Sequence, residues 1–383
     1  MRRVILVLFI SVMFLTVASN AASNNPLRLI LPPAVYAVPG QEINIYLDNI
    51  ILSSNYNNYA FDVDCAKGRQ DKSRWRFTAR PEETGSYPWK IKIHNEANEL
   101  VAEGHTEIIV SQADAGSSKT VSLLLIGDSL TDASVYPREL YNLCRKYGPK
   151  VTFLGSHSGG GKAPVDFAHE GYGGWTWNTF LTQYSPTQTD YRGKSKFLAD
   201  KDGSPELDFK AYCSKYAGGK APDFITVMLG TNDVFNVKEE NLDFAIEQIL
   251  KKADILIAEF QKVGPDTQIG LALTVPPAAA QDAFGSNYQC GQTRWQYRRN
   301  QHRLVERMIE RYSSGKFRNV SVIPAYVNID CENNFPVVSE PFNGRNSAKT
   351  VRQSNGVHPA QEGYLQIADS FYAWLKFKLS DKK

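Results

Sequence analysis

Two short segments far apart in the chain carry residues that could cleave an ester. Segment 127–130, Gly-Asp-Ser-Leu, follows an apolar run, and segment 356–359, Gly-Val-His-Pro, opens the last amphipathic stretch. A serine hydroxyl is a poor nucleophile until a base takes its proton, so such a serine and histidine must meet in space. The pairing predicts a nucleophilic hydrolase in which Ser129 attacks and His358 is the general base.

Two further segments could donate hydrogen bonds to the oxyanion of such a reaction. Gly174 is the second of two glycines before Trp175, and Asn232 follows the strongly apolar run 224–229. Donors placed where negative charge develops stabilise the transition state of acyl transfer. Structural alternatives exist for each residue. Ser129 and Asn232 would also suit helix N-caps, and paired glycines also occur in ordinary loops.

The elements that must position these residues begin at residue 120. Helical stripes start near Ala245, Leu304 and Tyr364, and almost wholly apolar runs lie at 121–126, 151–154, 223–229, 268–274 and 320–323. Alternating helices and buried strands predict a three-layer α/β/α fold with a parallel sheet over 120–380. Functional side chains in such folds gather at the carboxyl ends of the strands. Polar segments near 186–220, 276–293 and 324–357 are predicted to build the walls of the site.

A separate β domain is predicted over 26–112. Its short alternating runs, separated by turn sequences, lie at 42–47, 75–78, 89–93 and 107–110. Several short strands at this spacing are typical of a small antiparallel sandwich, immunoglobulin-like or jelly-roll-like. Segment 113–119 is predicted to link it to the α/β domain.

Residues 1–22 have the pattern of a signal peptide. Two arginines precede an apolar run over 4–18, and small residues follow at 19–22. The run is shorter than the roughly 20 residues that span a bilayer, which favours export over a membrane anchor. We therefore expect a secreted or periplasmic protein without membrane insertion after cleavage. Removing Arg2 and Arg3 lowers the net charge of +3 by two, so a nucleic-acid partner is not expected.

The five cysteines are scattered without metal-type spacing. No metal or cofactor is expected. An exported chain could form disulfides, and Cys290 and Cys331 form the candidate bridge because both lie in predicted loops. The sequence leaves the oligomeric state open.

Taken in chain order, the four segments at Ser129, Gly174, Asn232 and His358 resemble the signature blocks of the SGNH, or GDSL, hydrolases. The resemblance covers about 120–376 and implies the flavodoxin-like SGNH fold without a metal. It implies Ser129 as nucleophile, His358 as base, and an oxyanion hole formed by Ser129 N–H, Gly174 N–H and the Asn232 side chain. The Gly-Tyr-Gly-Gly-Trp-Thr-Trp segment behind a β-sandwich is similar to secreted bacterial members that deacetylate polysaccharides.

One position departs from the family pattern. The family usually has an aspartate three residues before the catalytic histidine, and this chain has Asn355. An asparagine oxygen can accept the imidazole N–H but carries no charge, and the equivalent change in a serine protease costs about 10⁴ in rate. The sequence leaves three alternatives. Asp330 or Glu332 substitutes for the missing aspartate, a Ser–His dyad works without it, or the site is impaired.

The sequence thus predicts a secreted serine esterase that removes small acyl groups, chiefly O-acetyl, from a carbohydrate through an acyl-serine intermediate. The ester substrate, an acetylated glycan, would be its partner. Aromatic residues expected near the rim are Tyr172, Trp175, Trp177, Tyr191 and Trp295. Alternatives are a lipid, aryl-ester or thioester hydrolase, and a carbohydrate-binding protein on an impaired hydrolase scaffold.

Overall fold

A computed structural model describes residues 27–158, 167–185, 187–188 and 190–380. The predicted signal peptide lies outside these residues. Within them, no helix has both the length and the apolar composition needed to cross a bilayer.

The N-terminal region folds into two β-sheets. Helix α1 is Leu47–Ile50, and the strands are β1 Ala34–Ala37, β2 Glu42–Tyr46, β3 Ala60–Cys65, β4 Arg69–Gln70, β5 Arg74–Thr78, β6 Gly85–His94 and β7 Leu100–Val110. The sheets have the orders β1-β7-β6-β3 and β2-β5-β4. Trp75 of one sheet meets Trp89 of the other edge to face, with ring centroids 6.3 Å apart. One detail differs from the predicted antiparallel sandwich, because β1 pairs with β7 in parallel.

The rest of the chain alternates strands and helices. Its strands are β8 Thr120–Gly127, β9 Lys150–Leu154, β10 Glu170–Gly171, β11 Leu198–Lys201, β12 Ser204–Leu207, β13 Phe224–Met228, β14 Gln268–Ala272, β15 Val320–Ile323, β16 Val337–Asn343 and β17 Asn346–Gln353. Its helices are α2 Ser129–Asp132, α3 Val135–Tyr147, α4 Trp177–Thr182, α5 Phe209–Tyr216, α6 Thr231–Val234, α7 Leu242–Val263, α8 Gln281–Tyr288, α9 Arg294–Tyr312, α10 Ala325–Asn328 and α11 Gln361–Leu379. All five predicted strand runs form strands here.

The central sheet is parallel. Its path runs β10-β8-β13-β14-β15, and β9 pairs with β8 on the same side as β10. In the register, Met228 at the end of β13 lies opposite Gly127 at the end of β8. The segments that carry Ser129 and Asn232 therefore leave the same edge of the sheet side by side.

Helices cover both faces of this sheet, as predicted from its almost wholly apolar strands. Leu123 and Leu125 of β8 share an apolar cluster with α3 and α11. Leu124 and Ile126 share another with α7 and α9. Successive side chains of a strand point to opposite faces, so a strand buried on both sides is apolar throughout. The three-layer α/β/α prediction is confirmed.

Buried polar contacts join the N-terminal region to the α/β region. Arg298 of α9 binds the Asp48 carboxylate at 2.6 Å, and its side chain is almost fully buried. The Asn328 side-chain oxygen accepts the Asn44 backbone N–H at 2.8 Å. Buried groups of this kind are costly to leave unpaired, so these contacts fix how the two regions pack. The predicted domain boundaries at 112 and 120 stay predictions.

The predicted Cys290–Cys331 bridge is wrong, because all five cysteines are free. Cys290 is exposed, whereas Cys331 is buried with its Sγ 3.5 Å from the Asn49 side-chain oxygen. The two predicted loops therefore place these thiols in different environments.

Candidate functional site

Ser129 and His358 lie in hydrogen-bond contact. Ser129 opens α2 directly after β8, and His358 lies in the turn before α11. The Ser129 Oγ is 2.8 Å from His358 Nε2, across 229 positions of sequence. This distance is within the range required for a nucleophile and its base.

The turn at the end of β8 directs the Ser129 side chain. A Cβ on Gly127 would come 1.9 Å from Thr131 Oγ1, so no larger residue fits this close approach. Asp128 is the N-cap of α2, and its Oδ1 accepts the Leu130 N–H at 3.0 Å. Because Asp128 takes the capping role, the Ser129 hydroxyl is left to contact His358. Ser129 is therefore not the N-cap of α2.

The segments of the predicted oxyanion donors meet beside Ser129. Gly174 has φ +82, a left-handed conformation that favours glycine. The Asn232 Nδ2 donates to the Trp175 carbonyl at 3.0 Å, which leaves its second amide hydrogen for a ligand. Within the described chain no hydrogen bond uses the N–H of Ser129 or Gly174. A helix N-terminus leaves such N–H groups unpaired, as at Ser129.

The environment of His358 keeps its imidazole neutral. Burial lowers its pKa from the usual value, because a charged ring loses solvation there. No hydrogen bond within the described residues reaches its Nδ1. The Asn355 side-chain oxygen instead accepts the backbone N–H of Val357 at 3.1 Å and of His358 at 2.9 Å. Asn355 thus shapes the turn that carries His358, and the expected bond from Asn355 to the ring is not formed.

The other candidate acids are engaged elsewhere. Asp330 Oδ1 accepts the N–H of Glu332 at 3.0 Å, and its Oδ2 is 3.2 Å from the Tyr46 hydroxyl. In the described part of the chain neither Asp330 nor Glu332 bonds to His358. Ser129 and His358 therefore form a dyad in this structure.

Two buried carboxyl groups beside the site were not singled out from the sequence. Burial raises the pKa of Asp128 to about 7 and that of Asp233 to about 7, and the Asp128 carboxyl adds to the rise at Asp233. Asp233 Oδ1 accepts the Trp177 N–H at 3.2 Å, which fixes the start of α4. Both residues adjoin predicted site residues in sequence, so proximity to Ser129 and Asn232 was the available signal.

Most of the predicted rim aromatics are core residues. Tyr172, Trp175 and Trp177 are buried, and the rings of Tyr172 and Trp175 stack with centroids 3.9 Å apart. They cannot face a sugar. Tyr191 is half-buried and donates its hydroxyl to Asp132 Oδ2 at 2.9 Å, whereas Trp295 is exposed.

A second Ser–His pair involves Ser134, which lies five residues after Ser129. His169 Nε2 is 2.7 Å from Ser134 Oγ, and the Gly171 N–H donates to His169 Nδ1 at 3.1 Å. Burial lowers the pKa of His169 to about 3. Neighbouring Glu170 is fully buried and accepts the Tyr212 hydroxyl at 2.9 Å. These contacts hold the segment that leads into Gly174.

The arrangement at Ser129 can perform acyl transfer. It combines a hydroxyl, a neutral imidazole and unpaired N–H donors at one sheet edge. Among the described residues, no group of three or more His, Cys, Asp or Glu side chains could hold a metal ion.

Comparison with known proteins agrees with this chemistry. The family model described as GDSL-like lipase/acylhydrolase matches residues 123–371. Solved structures with similarity include a family 3 carbohydrate esterase from Clostridium thermocellum, with 18% identity, 69% of this chain and 100% of that chain covered, and a TM-score of 0.41. A family 3 carbohydrate esterase from Talaromyces cellulolyticus has 17% identity, 69% and 100% coverage, and a TM-score of 0.38. Among curated proteins no relative matches.

Proposed function

This chain belongs to the GDSL-like lipase/acylhydrolase family, and we propose that it is an exported serine esterase that removes small acyl groups from a carbohydrate. The family match makes it an SGNH-type carboxylic ester hydrolase. The 2.8 Å contact between Ser129 Oγ and His358 Nε2 is the observation that carries the proposal.

In the proposed mechanism His358 Nε2 takes the proton of Ser129 as its Oγ attacks the ester carbonyl. The N–H groups of Ser129 and Gly174 and the Asn232 amide donate to the resulting oxyanion. The imidazolium then gives its proton to the leaving alcohol, and an acyl-Ser129 ester remains. Water, deprotonated by His358, attacks this ester, and collapse releases the acid and restores Ser129.

The dyad replaces a triad in this proposal. No carboxylate contacts the His358 ring within the described residues, so imidazolium formation is stabilised less than in a triad. The position of the ring depends instead on the backbone turn that Asn355 holds. An activated ester has a good leaving group, and its cleavage therefore demands less of such a site.

The substrate class rests on two supports. The GDSL-like family includes acylhydrolases, and the predicted signal peptide would deliver the enzyme to extracytoplasmic glycans. The sequence contains no long apolar segment, apart from the predicted signal peptide, that could form a lid to shelter a fatty chain. An O-acetylated glycan is therefore the proposed substrate, and secretion or periplasmic location is part of the proposal.

The test compares wild type with Ser129→Ala on p-nitrophenyl acetate. Wild type should hydrolyse it about 10³-fold faster or more, and mass spectrometry of quenched reactions should find an acetyl group on Ser129. Equal rates for both proteins would overturn the catalytic proposal. Acetate release from acetylated xylan, and rates across p-nitrophenyl acetate to palmitate, then separate a deacetylase from a lipase.

A further inference from the structure

Trp295 differs from every other tryptophan of this protein in being exposed to solvent. The chain has six tryptophans. Five of them are at most 5% exposed, whereas Trp295 is 42% exposed. An indole is a large apolar surface, and leaving it in water forgoes the free energy that burial gives. Within the described residues no other aromatic ring stacks on it, and its 42% exposure leaves part of the indole open to a ligand.

Trp295 lines a cleft between the N-terminal region and the α/β region. The cleft has a volume of about 240 Å³ and lies between α9, the start of α7, and Arg28 and Leu52 of the N-terminal region. Ser129, Gly174, Asn232 and His358 do not line it. The cleft is therefore a feature separate from the candidate catalytic site.

The polar lining of the cleft consists of paired charges. Arg299, one turn after Trp295 on α9, binds Glu239 at 2.7 Å. Arg303, a further turn along, binds Asp243 at 2.6 Å. The side chains of Glu239 and Asp243 remain 73% exposed in both cases. Their carboxylates can accept, and the guanidinium groups can donate, further hydrogen bonds to a ligand.

The charged groups of the cleft are paired. Three arginines and two carboxylates line it, and Arg28 and Arg303 also bind Glu306 of α9, which is not a lining residue. Counting Glu306, three arginines pair with three carboxylates. A polyanion would meet as many negative as positive groups, and no net attraction would favour it. A neutral ligand with many hydroxyl groups can donate hydrogen bonds to the carboxylates and accept them from the guanidinium groups.

We propose that the cleft beside Trp295 is an accessory binding site for a neutral glycan chain. One sugar ring lies on the free face of the indole, and its hydroxyl groups bond to the Arg299–Glu239 and Arg303–Asp243 pairs. The volume is below the roughly 300 Å³ at which pockets for drug-sized ligands begin, which suits a short stretch of a longer chain. The cleft would keep the enzyme on a polymer while the catalytic site acts elsewhere along it.

A protein partner is the rival occupant, because exposed tryptophans are also frequent in protein interfaces. The lining argues against it. Paired charges line the cleft beside the ring, and their carboxylates are 73% exposed, whereas the centre of a protein interface is depleted of charged residues.

Because only Trp295 is exposed, iodide quenching of tryptophan fluorescence reports on the cleft. The probes are xylohexaose, cellohexaose and mannohexaose at millimolar concentration, with hexagalacturonate as the polyanionic control. At least one neutral hexasaccharide should lower the quenching constant about twofold, because one face of the ring becomes covered. Protection by none of the three, or by hexagalacturonate alone, would overturn the proposal. Protection that grows with protein concentration without sugar would assign the cleft to a protein partner.

Calorimetry of variants gives the second measurement. Trp295→Ala should weaken binding of the protecting hexasaccharide about threefold to tenfold, and Trp295→Phe, which keeps a ring, should lose less. Phe342→Ala is the matched control, since Phe342 is 50% exposed on β16 and does not line the cleft. Equal binding by Trp295→Ala and wild type would contradict the assignment.

A third measurement, of enzymatic activity, rests on the proposed function. Trp295→Ala should release acetate more slowly from acetylated polymer while hydrolysing p-nitrophenyl acetate at the wild-type rate. Wild type inactive on all acetylated polymers would refute the proposed substrate class, but the fluorescence and calorimetry would still decide whether the cleft binds glycan.

Discussion

The Ser129–His358 and Ser134–His169 pairs have nearly equal lengths, 2.8 and 2.7 Å, but they differ in what binds the second ring nitrogen of the histidine. Gly171 N–H donates to Nδ1 of His169, so the proton of that neutral ring is on Nε2 and is donated to Ser134. The Ser134 hydroxyl in turn donates to the Asp132 carbonyl at 3.1 Å. Among the described residues no such bond reaches Nδ1 of His358, so no partner forces the ring proton onto Nε2, and Nε2 is able to accept a proton from Ser129.

The two pairs also differ in how deeply their histidines are buried and in whether hydrogen-bond donors lie nearby. His169 is fully buried, with its pKa lowered to about 3. His358 is only partly buried, and unpaired N–H donors lie at Ser129 and Gly174. A serine next to a histidine is therefore not sufficient for catalysis. The second ring nitrogen and access to a substrate determine whether the imidazole acts as a base.

The largest loss of rate is expected for substitution of His358, and the same substitution of His169 should change the rate little. His358→Asn should lower kcat/KM for p-nitrophenyl acetate about 10³-fold or more, because the base is lost. His169→Asn should leave kcat within a few-fold and lower the free energy of unfolding by about 1–3 kcal/mol, because buried partners lose their bonds. Steady-state rates and urea unfolding of both variants check this. A rate loss of similar size in folded His169→Asn would contradict the assignment.

The pH dependence of the rate gives a second test. His358 acts as a base only when neutral, and burial lowers its pKa. The midpoint of the fall in kcat/KM on acidification should therefore lie below about pH 6.5, the ordinary histidine value. His169→Asn should not move the profile. A midpoint above that value would show that another group controls the rate.

Asp128 should make the protein less stable as pH rises. Its pKa is raised to about 7 in the fold from 3.8, so the folded state binds the proton more tightly than the unfolded state. The stabilisation from this proton is complete below about pH 4 and is lost as pH rises towards 7. Asp128→Asn should remove this loss, up to about 1.4 kcal/mol per pH unit in that window.

Urea unfolding of wild type and Asp128→Asn at several pH values between 4 and 8 measures the difference. Asparagine keeps the oxygen that caps α2, so the variant is a fair match. A constant difference at all pH values would mean that Asp128 is ionised in the fold.

The smallest effect is expected at Asn355. Asn355→Asp keeps the oxygen that accepts the N–H groups of Val357 and His358, so the turn should persist. The rate on p-nitrophenyl acetate should be unchanged or raised, because a carboxylate could stabilise the imidazolium. Asn355→Ala is the control and should lower the free energy of unfolding by about 1–2 kcal/mol. A collapse of activity in folded Asn355→Asp would reveal a further role for this amide.

Local sequence patterns predicted the α/β region well. The run at 121–126 could only be a strand buried on both faces, because no position in it is charged. The stripes of α7, α9 and α11 have helical spacing, and their apolar residues are buried as expected. The parallel pairing of β1 with β7 was not predictable, because strand order in a sandwich depends on contacts distant in sequence.

The candidate site was predicted less completely. The contact between Ser129 and His358 followed from chemistry and chain order. The burial of Tyr172, Trp175 and Trp177 did not, because aromatic residues suit both a core and a rim. The second Ser–His pair and the raised pKa of Asp128 were also hidden, since both depend on how distant segments exclude water.

The sequence by itself determined the strands, the helices, and the residue types available for acyl transfer, because these follow from local periodicity and side-chain chemistry. Tertiary structure alone decided that His169 donates to Ser134 whereas the ring of His358 is left able to accept from Ser129. It also decided that Asn355 holds a backbone turn and that Trp295 alone among the six tryptophans stays exposed. Hydrogen-bond direction and burial depend on neighbours brought from far along the chain, and no local pattern encodes them.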